Sequence, residues 1–295
     1  MCSVKVIDQE IRDNWSLYNG DSMEVIKWIP DASVGLSVFS PPFASLYTYS
    51  ASERDLGNTK DYEQFFEGFG FLIGQLLRVT MPGRSCAVHC QDLSTTKATH
   101  GVIGLRDFPG DIIRAFSAKG WIFDGRVTID KDPQAQAIRT KSKALLFVQL
   151  EKDSSWSRPA MADYIIRFRA PGENPIPVKP DMTREQWIQW ARPVWYDIEE
   201  SDTLNTDIAR EDKDERHICP LQLGTIERCV TLWSNPGEVV LSPFAGIGSE
   251  GVVALRKGRR FVGIELKPSY YRTAVGNLAG AVSQMSLLDM LPPRP

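Results

Sequence analysis

One block of this sequence leaves little freedom in the fold. Glu238-Val-Val-Leu reads as a strand, Phe244-Ala245-Gly246-Ile247-Gly248 as a tight turn, and Ser249 to Lys257 as a helix. Arg260-Phe-Val-Gly-Ile is then the next strand, and Pro268 to Leu278 the next helix. Strands alternating with helices build parallel βαβ units and a doubly wound, mostly parallel α/β sheet. Glycines at 246 and 248 allow a sharp turn and let a ligand come close to the backbone. Glu265 ends the second strand, where a carboxylate can accept hydrogen bonds from both hydroxyls of a ribose. Taken alone, the spacing indicates an adenosine-type cofactor and suits NAD as well.

The same grammar appears near the start. Ser16 to Asn19 reads as a short strand ending in the turn Asn19-Gly20-Asp21, and Ser22 to Trp28 as a helix. Ala32 to Phe39 is a buried strand stopped by Pro41-Pro42. Asp61 to Val79 has helical periodicity, Ser85 to His89 is strand-like, and Asp111 to Ala118 is helical. Strands are expected at Ile122 to Ile129 and at Ala144 to Leu150. From Glu151 to Arg216 the texture changes: six prolines interrupt regular structure, and Trp156, Trp187, Trp190 and Trp195 gather there. Trp187 and Trp190 lie one helical turn apart, which suits the core of a small unit. Residues 1–150 and 217–295 therefore read as two halves of one domain, with 151–216 as an insertion on its sheet.

No apolar run reaches the length of a membrane span, and the charged first fifteen residues contain no secretory core, so a cytosolic protein is expected. The five cysteines should then be reduced thiols. In Cys86-Ala-Val-His89-Cys90, strand alternation puts both thiols on one face and His89 on the other. That is too few ligands for a metal site, and none is expected.

Ser40-Pro41-Pro42-Phe43 carries the chemistry. In open α/β sheets ligands bind beyond the carboxyl ends of strands, so this tetrapeptide should face the cofactor crevice. Consecutive prolines hold an extended, rigid turn that can aim the Ser40 hydroxyl and the Pro41 carbonyl at one point. Phe43 offers a flat platform. These parts suit methylation of an exocyclic amine on a base. Hydrogen bonds from the amine to Ser40 and Pro41 would localise the nitrogen lone pair for in-line attack on a methyl donor. The base would have to be flipped out of its duplex and stacked on Phe43. A carbon-methylating route would need a Pro-Cys nucleophile, and the chain has no such dipeptide.

These residues resemble the β class of amino-methylating DNA methyltransferases, whose Asp/Asn/Ser-Pro-Pro-aromatic motif precedes the Phe-x-Gly-x-Gly motif; the likeness is specific over residues 17–43 and 219–278. The resemblance implies a Rossmann-like S-adenosylmethionine-dependent fold with Ser40, Pro41, Pro42 and Phe43 catalytic. Phe244, Ala245, Gly246 and Gly248 would form the cofactor loop, with Glu265 on the ribose and Asp21 near the adenine. Cys219-Pro220-Leu221-Gln222 is similar to the family's His-Pro-x-Gln segment beside the cofactor, so Cys219 and Gln222 join the set. The family's target-recognition region corresponds to 151–216, and a homodimer is implied. Three departures stand out: Ser242 replaces an aspartate before the loop, Cys219 replaces histidine, and position 40 is serine. Ser-Pro-Pro-Phe is more often linked to cytosine N4. The stretch Ser40 to Tyr49 with Leu56-Gly57-Asn58 is most similar to solitary, phage-type members, where adenine N6 is the commoner target, and adenine is the expectation here.

Double-stranded DNA would meet Tyr47 on the loop after the catalytic motif and the basic residues Arg139, Lys141, Lys143 and Arg158. The net charge of −3 and pI near 5.8 run against a general basic footprint, so positive charge must be local. Rival readings are a methyltransferase for RNA or protein amides, an NAD-dependent oxidoreductase on the same loop, and a DNA-binding protein without catalysis.

Overall fold

The computed structural model describes residues 6–42, 62–95, 97–140, 142–205 and 220–289. In chain order, β1 (Asp8–Ile11) and β2 (Trp15–Asn19) lead into α1 (Ser22–Val25), then β3 (Val34–Phe39), α2 (Tyr62–Val79) and β4 (Thr80–Gln91). A hairpin of β5 (Leu93–Thr95) and β6 (Gly104–Arg106) encloses α3 (Lys97–His100). Next come α4 (Phe108–Ala118), β7 (Ile122–Ile129), α5 (Pro133–Thr140) and α6 (Phe147–Lys152). They are followed by β8 (Asp163–Arg169), α7 (Arg184–Trp190) and β9 (Val194–Trp195). The chain then continues through α8 (Leu223–Trp233), β10 (Val239–Ser242), α9 (Ser249–Arg256), β11 (Arg260–Glu265) and α10 (Pro268–Asp289).

Nine strands form one sheet in the order β1-β2-β11-β10-β3-β4-β8-β7-β9. From β2 to β4 all neighbours are parallel; β8 runs antiparallel between β4 and β7. All six residues of β3 are buried because both its edges are paired and both its faces are covered. One face packs beneath α1, α2 and α4, with Phe39, Phe65, Phe69, Phe116 and Phe168 at its centre. The other packs beneath α8, α9 and α10, around Leu36, Ile165, Val240 and Phe261. Helix α2 buries Phe65, Phe69, Leu72, Ile73 and Leu76, the i, i+3, i+4 stripe of an amphipathic helix on a sheet.

The expected mostly parallel α/β architecture is present, with three corrections. Ala144 to Leu150, expected as a strand, is a 3-10 turn over Lys143–Leu145 followed by α6. An apolar run this short fits either state, and β8 occupies the sheet position that such a strand would have taken. The stretch 151–216, expected as an insertion laid on the sheet, supplies β8, an inner strand, and β9, an edge strand. Trp187 is also 55% exposed and so is not a core residue, while Trp190 lies against the Arg228 guanidinium. Among the described residues no helix is long and apolar enough to cross a membrane, and no three His, Cys, Asp or Glu side chains are grouped to hold a metal.

At the amino-terminal edge of the sheet, Arg84 and Glu238 form a two-pronged ion pair, with Arg84 also donating to the Ile176 carbonyl. Asn235 donates to the same carboxylate through its backbone and side chain. A Cβ on Gly35 would come within 2.8 Å of the Glu238 carboxylate, so glycine leaves room for the pair. Replacing Glu238 by Ala strands the buried guanidinium; urea unfolding is expected to show a loss of about 3–5 kcal/mol.

Candidate active site

The parallel strands β2, β11, β10, β3 and β4 end along one edge, and antiparallel β8 begins there. Between β10 and β3 the chain departs in opposite directions. Helix α9 carries β10 toward β11 on one face, and α2 carries β3 toward β4 on the other. That divergence opens the crevice in which α/β sheets bind ligands.

The β10 side is a cradle of backbone and carboxylate. Gly246 and Gly248 take positive φ, +53° and +88°, which the tight turn demands. A Cβ on Gly246 would meet nothing within 4 Å, so its backbone faces open space. Gly246 N donates to Glu265 Oε2 and Lys267 N to Oε1, both at 2.8 Å, which fixes the carboxylate at the mouth of the loop. Asn19 Nδ2 donates to the Glu265 and Leu266 carbonyls at 2.8 and 3.0 Å, locking β2 to the tip of β11. Asp21 caps α1 by accepting from Met23 N at 2.9 Å, and Ser22 donates to the Pro243 carbonyl.

Several buried polar atoms here have no partner among the described residues: the hydroxyls of Ser242, Ser249 and Ser269 and Oε1 of Gln222. Orphaned groups beside a fixed carboxylate and an open glycine fit a polar nucleoside ligand that completes them. Phe244 is placed differently from Gly246. Its ring packs edge-on to Phe39 at 5.7 Å and lies 6.4 Å from Phe69, so it anchors the loop in the core. Ala245 is buried and donates to the Ile264 carbonyl. Gln222 stands at the N-cap position of α8 without a side-chain cap bond, and the helix's first residue, Leu223, donates to the Asp202 carbonyl. Cys219 lies outside the described residues. Glu250, which no sequence motif marks, is buried in the first turn of α9. Burial, with the charge of Glu265 adding to it, pushes its carboxyl up to about 8, so it is protonated at neutral pH.

On the β3 side Ser40 follows the strand directly, and its Oγ lies 2.8 Å from His89 Nδ1 on β4. His89 Nε2 is 3.3 Å from Asp163 Oδ2, at the first residue of β8. Lys131 Nζ, just beyond β7, reaches the same oxygen at 2.8 Å. Burial alone would raise the Asp163 carboxyl, but His89 and Lys131 outweigh it and hold the group down at about 2. Pro41 is buried and Pro42 half-buried; Phe43 lies outside the described residues. Cys86 and Cys90 face the opposite core, and burial raises those thiols and Cys229 above their ordinary range, which removes them as nucleophiles. His89, Asp163 and Lys131 are site residues that sequence reasoning missed. The one signal for His89 was its place on the strand face away from the thiols.

Apart from Tyr47, the expected DNA contacts fall on the excursion between β7 and β8, which leaves the sheet beside Lys131 and returns at Asp163. Lys143 is exposed, and Arg158 is within 3.3 Å of Ser142 Oγ and the Pro159 carbonyl. Arg139 lies on α5 with its side chain undescribed; Tyr47 and Lys141 lie outside the described residues.

Residues 34–276 match the family of N6- and N4-methylating DNA methylases. The chain belongs to this family. The type II methyltransferase M.Cfr9I of Citrobacter freundii is 25% identical, over 90% of this chain and 88% of its own. TTHA0409 of Thermus thermophilus, solved in complex with S-adenosyl-L-methionine, superposes with a TM-score of 0.69 at 26% identity, covering 90% and 93% of the two chains. The PvuII cytosine-N4-specific DNA methyltransferase shares the fold, with a TM-score of 0.64 at 19% identity over 90% of this chain and 86% of its own. This methylase is thus an S-adenosylmethionine-dependent enzyme that methylates an exocyclic amine of DNA.

Replacing Glu265 by Ala removes the carboxylate and its hold on Gly246. Isothermal titration should show S-adenosylmethionine binding weakened by about 10- to 100-fold, the worth of one or two charge-assisted hydrogen bonds. Asp163 also makes a pH prediction. Its folded value lies below its unfolded one, so its contribution is complete above the unfolded value and fades as pH falls toward about 2. Against Asp163→Asn, the wild-type advantage in urea, roughly 2 kcal/mol from this shift, should be constant above about pH 5 and shrink below it.

Proposed function

We propose that this methylase acts on a base flipped out of double-stranded DNA, with Ser40 and the Pro41 carbonyl receiving the target amine and Phe43 stacking on the ring. The observation that carries this reading is the place of Ser40: at the end of β3, beside the glycine loop and in hydrogen-bond contact with His89. When bound, S-adenosylmethionine supplies an electrophilic methyl group. Glu265, Gly246 and the unpartnered hydroxyls of Ser242 and Ser249 hold the nucleoside end, and Asp21 and Gln222 border it. Ser40 accepts one amine hydrogen and the Pro41 carbonyl the other, which turns the nitrogen lone pair toward the donor.

Adenine N6 and cytosine N4 present the same edge, an amine beside a ring nitrogen, and either suits this geometry. The excursion carrying Arg139, Lys141, Lys143 and Arg158, with Tyr47, is assigned to phosphate and base contacts. Target recognition is assigned to the parts of 151–216 outside β8 and β9. A homodimer is also part of the reading: the short helices over 133–156 expose Ile138, Phe147, Val148 and Trp156, each by more than 60%, an apolar surface of the kind a second copy covers. The bacterial sources of the relatives support a cytosolic setting.

The test is to incubate the protein with unmethylated DNA and labelled S-adenosylmethionine, digest to nucleosides and identify the labelled species by mass spectrometry. Labelled N6-methyladenine or N4-methylcytosine is expected, and its identity names the base; label in RNA or protein but not in DNA sinks the reading. Ser40→Ala should lower the rate by about 10²–10³-fold while cofactor binding is kept.

A further inference from the structure

The base side of the crevice contains more polar machinery than the proline turn requires. Ser40, His89, Asp163 and Lys131 come from the end of β3, from β4, from the start of β8 and from beyond β7, and they form one connected line. The Lys131 side chain is 1% exposed and that of Asp163 9%, so this is not a chance surface cluster. Resting on the reading of Ser40 above, we propose that His89 is a positioning and proton-accepting residue that acts through Ser40, with the neighbouring Asp163 carboxylate favouring the tautomer protonated at Nε2.

Serine at position 40 raises a problem that an ionised carboxylate would not. A hydroxyl both donates and accepts, and its hydrogen rotates freely unless something takes it. A hydrogen turned toward the target amine would repel the amine's own hydrogens. The line of residues removes that choice. His89 Nε2 makes no hydrogen bond of normal geometry among the described residues, but the Asp163 carboxylate, held low by His89 and Lys131, lies 3.3 Å away and favours a proton on that nitrogen electrostatically. Nδ1 is then bare and accepts the Ser40 hydroxyl hydrogen at 2.8 Å, which leaves the Oγ lone pairs directed at the amine. Lys131 keeps Asp163 charged in a buried place and offsets part of its pull on the imidazole.

The same line can take the proton that the reaction releases. As the N–CH3 bond forms and the S–CH3 bond breaks, the amine nitrogen acquires positive charge and must lose a hydrogen. That proton passes to Ser40 Oγ while the serine's own passes to His89 Nδ1. The positive charge leaving sulfur thus ends on an imidazolium held between Ser40 and Asp163. The proton leaves for solvent when the product does. Asp163 and Lys131 are the charged groups facing His89. Cys86 and Cys90 point to the other face, Arg167 further along β8 sits over Trp233, and Arg228 of α8 is paired with Asp197.

The test combines a measurement on the resting protein with one on the reaction. Nitrogen NMR of the whole protein labelled at its three histidines, with His89→Asn to assign the signal, should show Nδ1 bare and Nε2 protonated at neutral pH. In single-turnover methylation of DNA, His89→Ala should be slower by about 10²-fold. His89→Asn, whose Oδ1 falls near the place of Nδ1, should recover most of that rate and lose the acid limb of the pH profile. Both variants should bind S-adenosylmethionine as the wild type does. A proton on Nδ1, an alanine variant within about threefold of wild type, an asparagine variant that keeps the acid limb, or loss of cofactor binding in both variants overturns the proposal. Failure of the wild type to methylate DNA overturns the Ser40 reading instead, and the tautomer still reports on the hydrogen-bond direction.

Discussion

The active edge depends on β3 being gripped in parallel on both sides. Leu36 and Ser37 are in register with Val240 and Leu241 of β10, while Ser37 to Phe39 are in register with Cys86 to Val88 of β4. Parallel strands finish together, so the residue after Phe39 lands beside His89 on one flank and beside the loop after Ser242 on the other. A slip of one residue would exchange the two faces of β3 and turn Ser40 away from His89. The five buried side chains of β3 forbid that slip, because each face of the strand is matched to a different core.

Strand β4 carries charge chemistry at both ends, and the two ends are built differently. Near its start, Arg84 meets Glu238 in a forked pair; a guanidinium does not give up its proton, so that contact is permanent. Near its finish, His89 meets Ser40 through Nδ1 and faces Asp163 through Nε2, a contact between a side chain with two distinct ring nitrogens and two different partners. In both places a buried charge costs free energy that its neighbours must return, through Asn235 at one end and Lys131 at the other.

What could be read from sequence follows the distance over which each signal acts. The glycine loop, Glu265 and Ser-Pro-Pro-Phe are local patterns, and the structure brings the first two together, Gly246 bonded to Glu265. Phe244 belonged to the same pattern, yet its ring serves the core, since a motif does not say which way a side chain turns. His89 was visible as one face of a strand, but its contact with Ser40 spans 49 residues and depends on β3 and β4 being neighbours. Asp163 reaches the site only because β8 is antiparallel and begins at the edge where the parallel strands end. Nothing local to its proline-interrupted surroundings marks that reversal. The helical state of 143–152 and the exposure of Trp187 escaped for a related reason: apolar side chains promise burial only when another surface arrives to cover them.

β8 is held by seven register pairs to β4 and seven to β7, with Asp163 at its very start. The chain before it, from Lys131 onward, and the chain after it, toward α7, are both free of that ladder. The ladder itself fixes where Asp163 sits, while Lys131 and Gln136 before the strand and Ile176 after it are the points at which those flanks are tied back to the fold. On the reading proposed above, the sheet separates two inheritances: a lineage acquires a new DNA address by rewriting exposed parts of the flanks of one strand, while the carboxylate at its first residue stays in register.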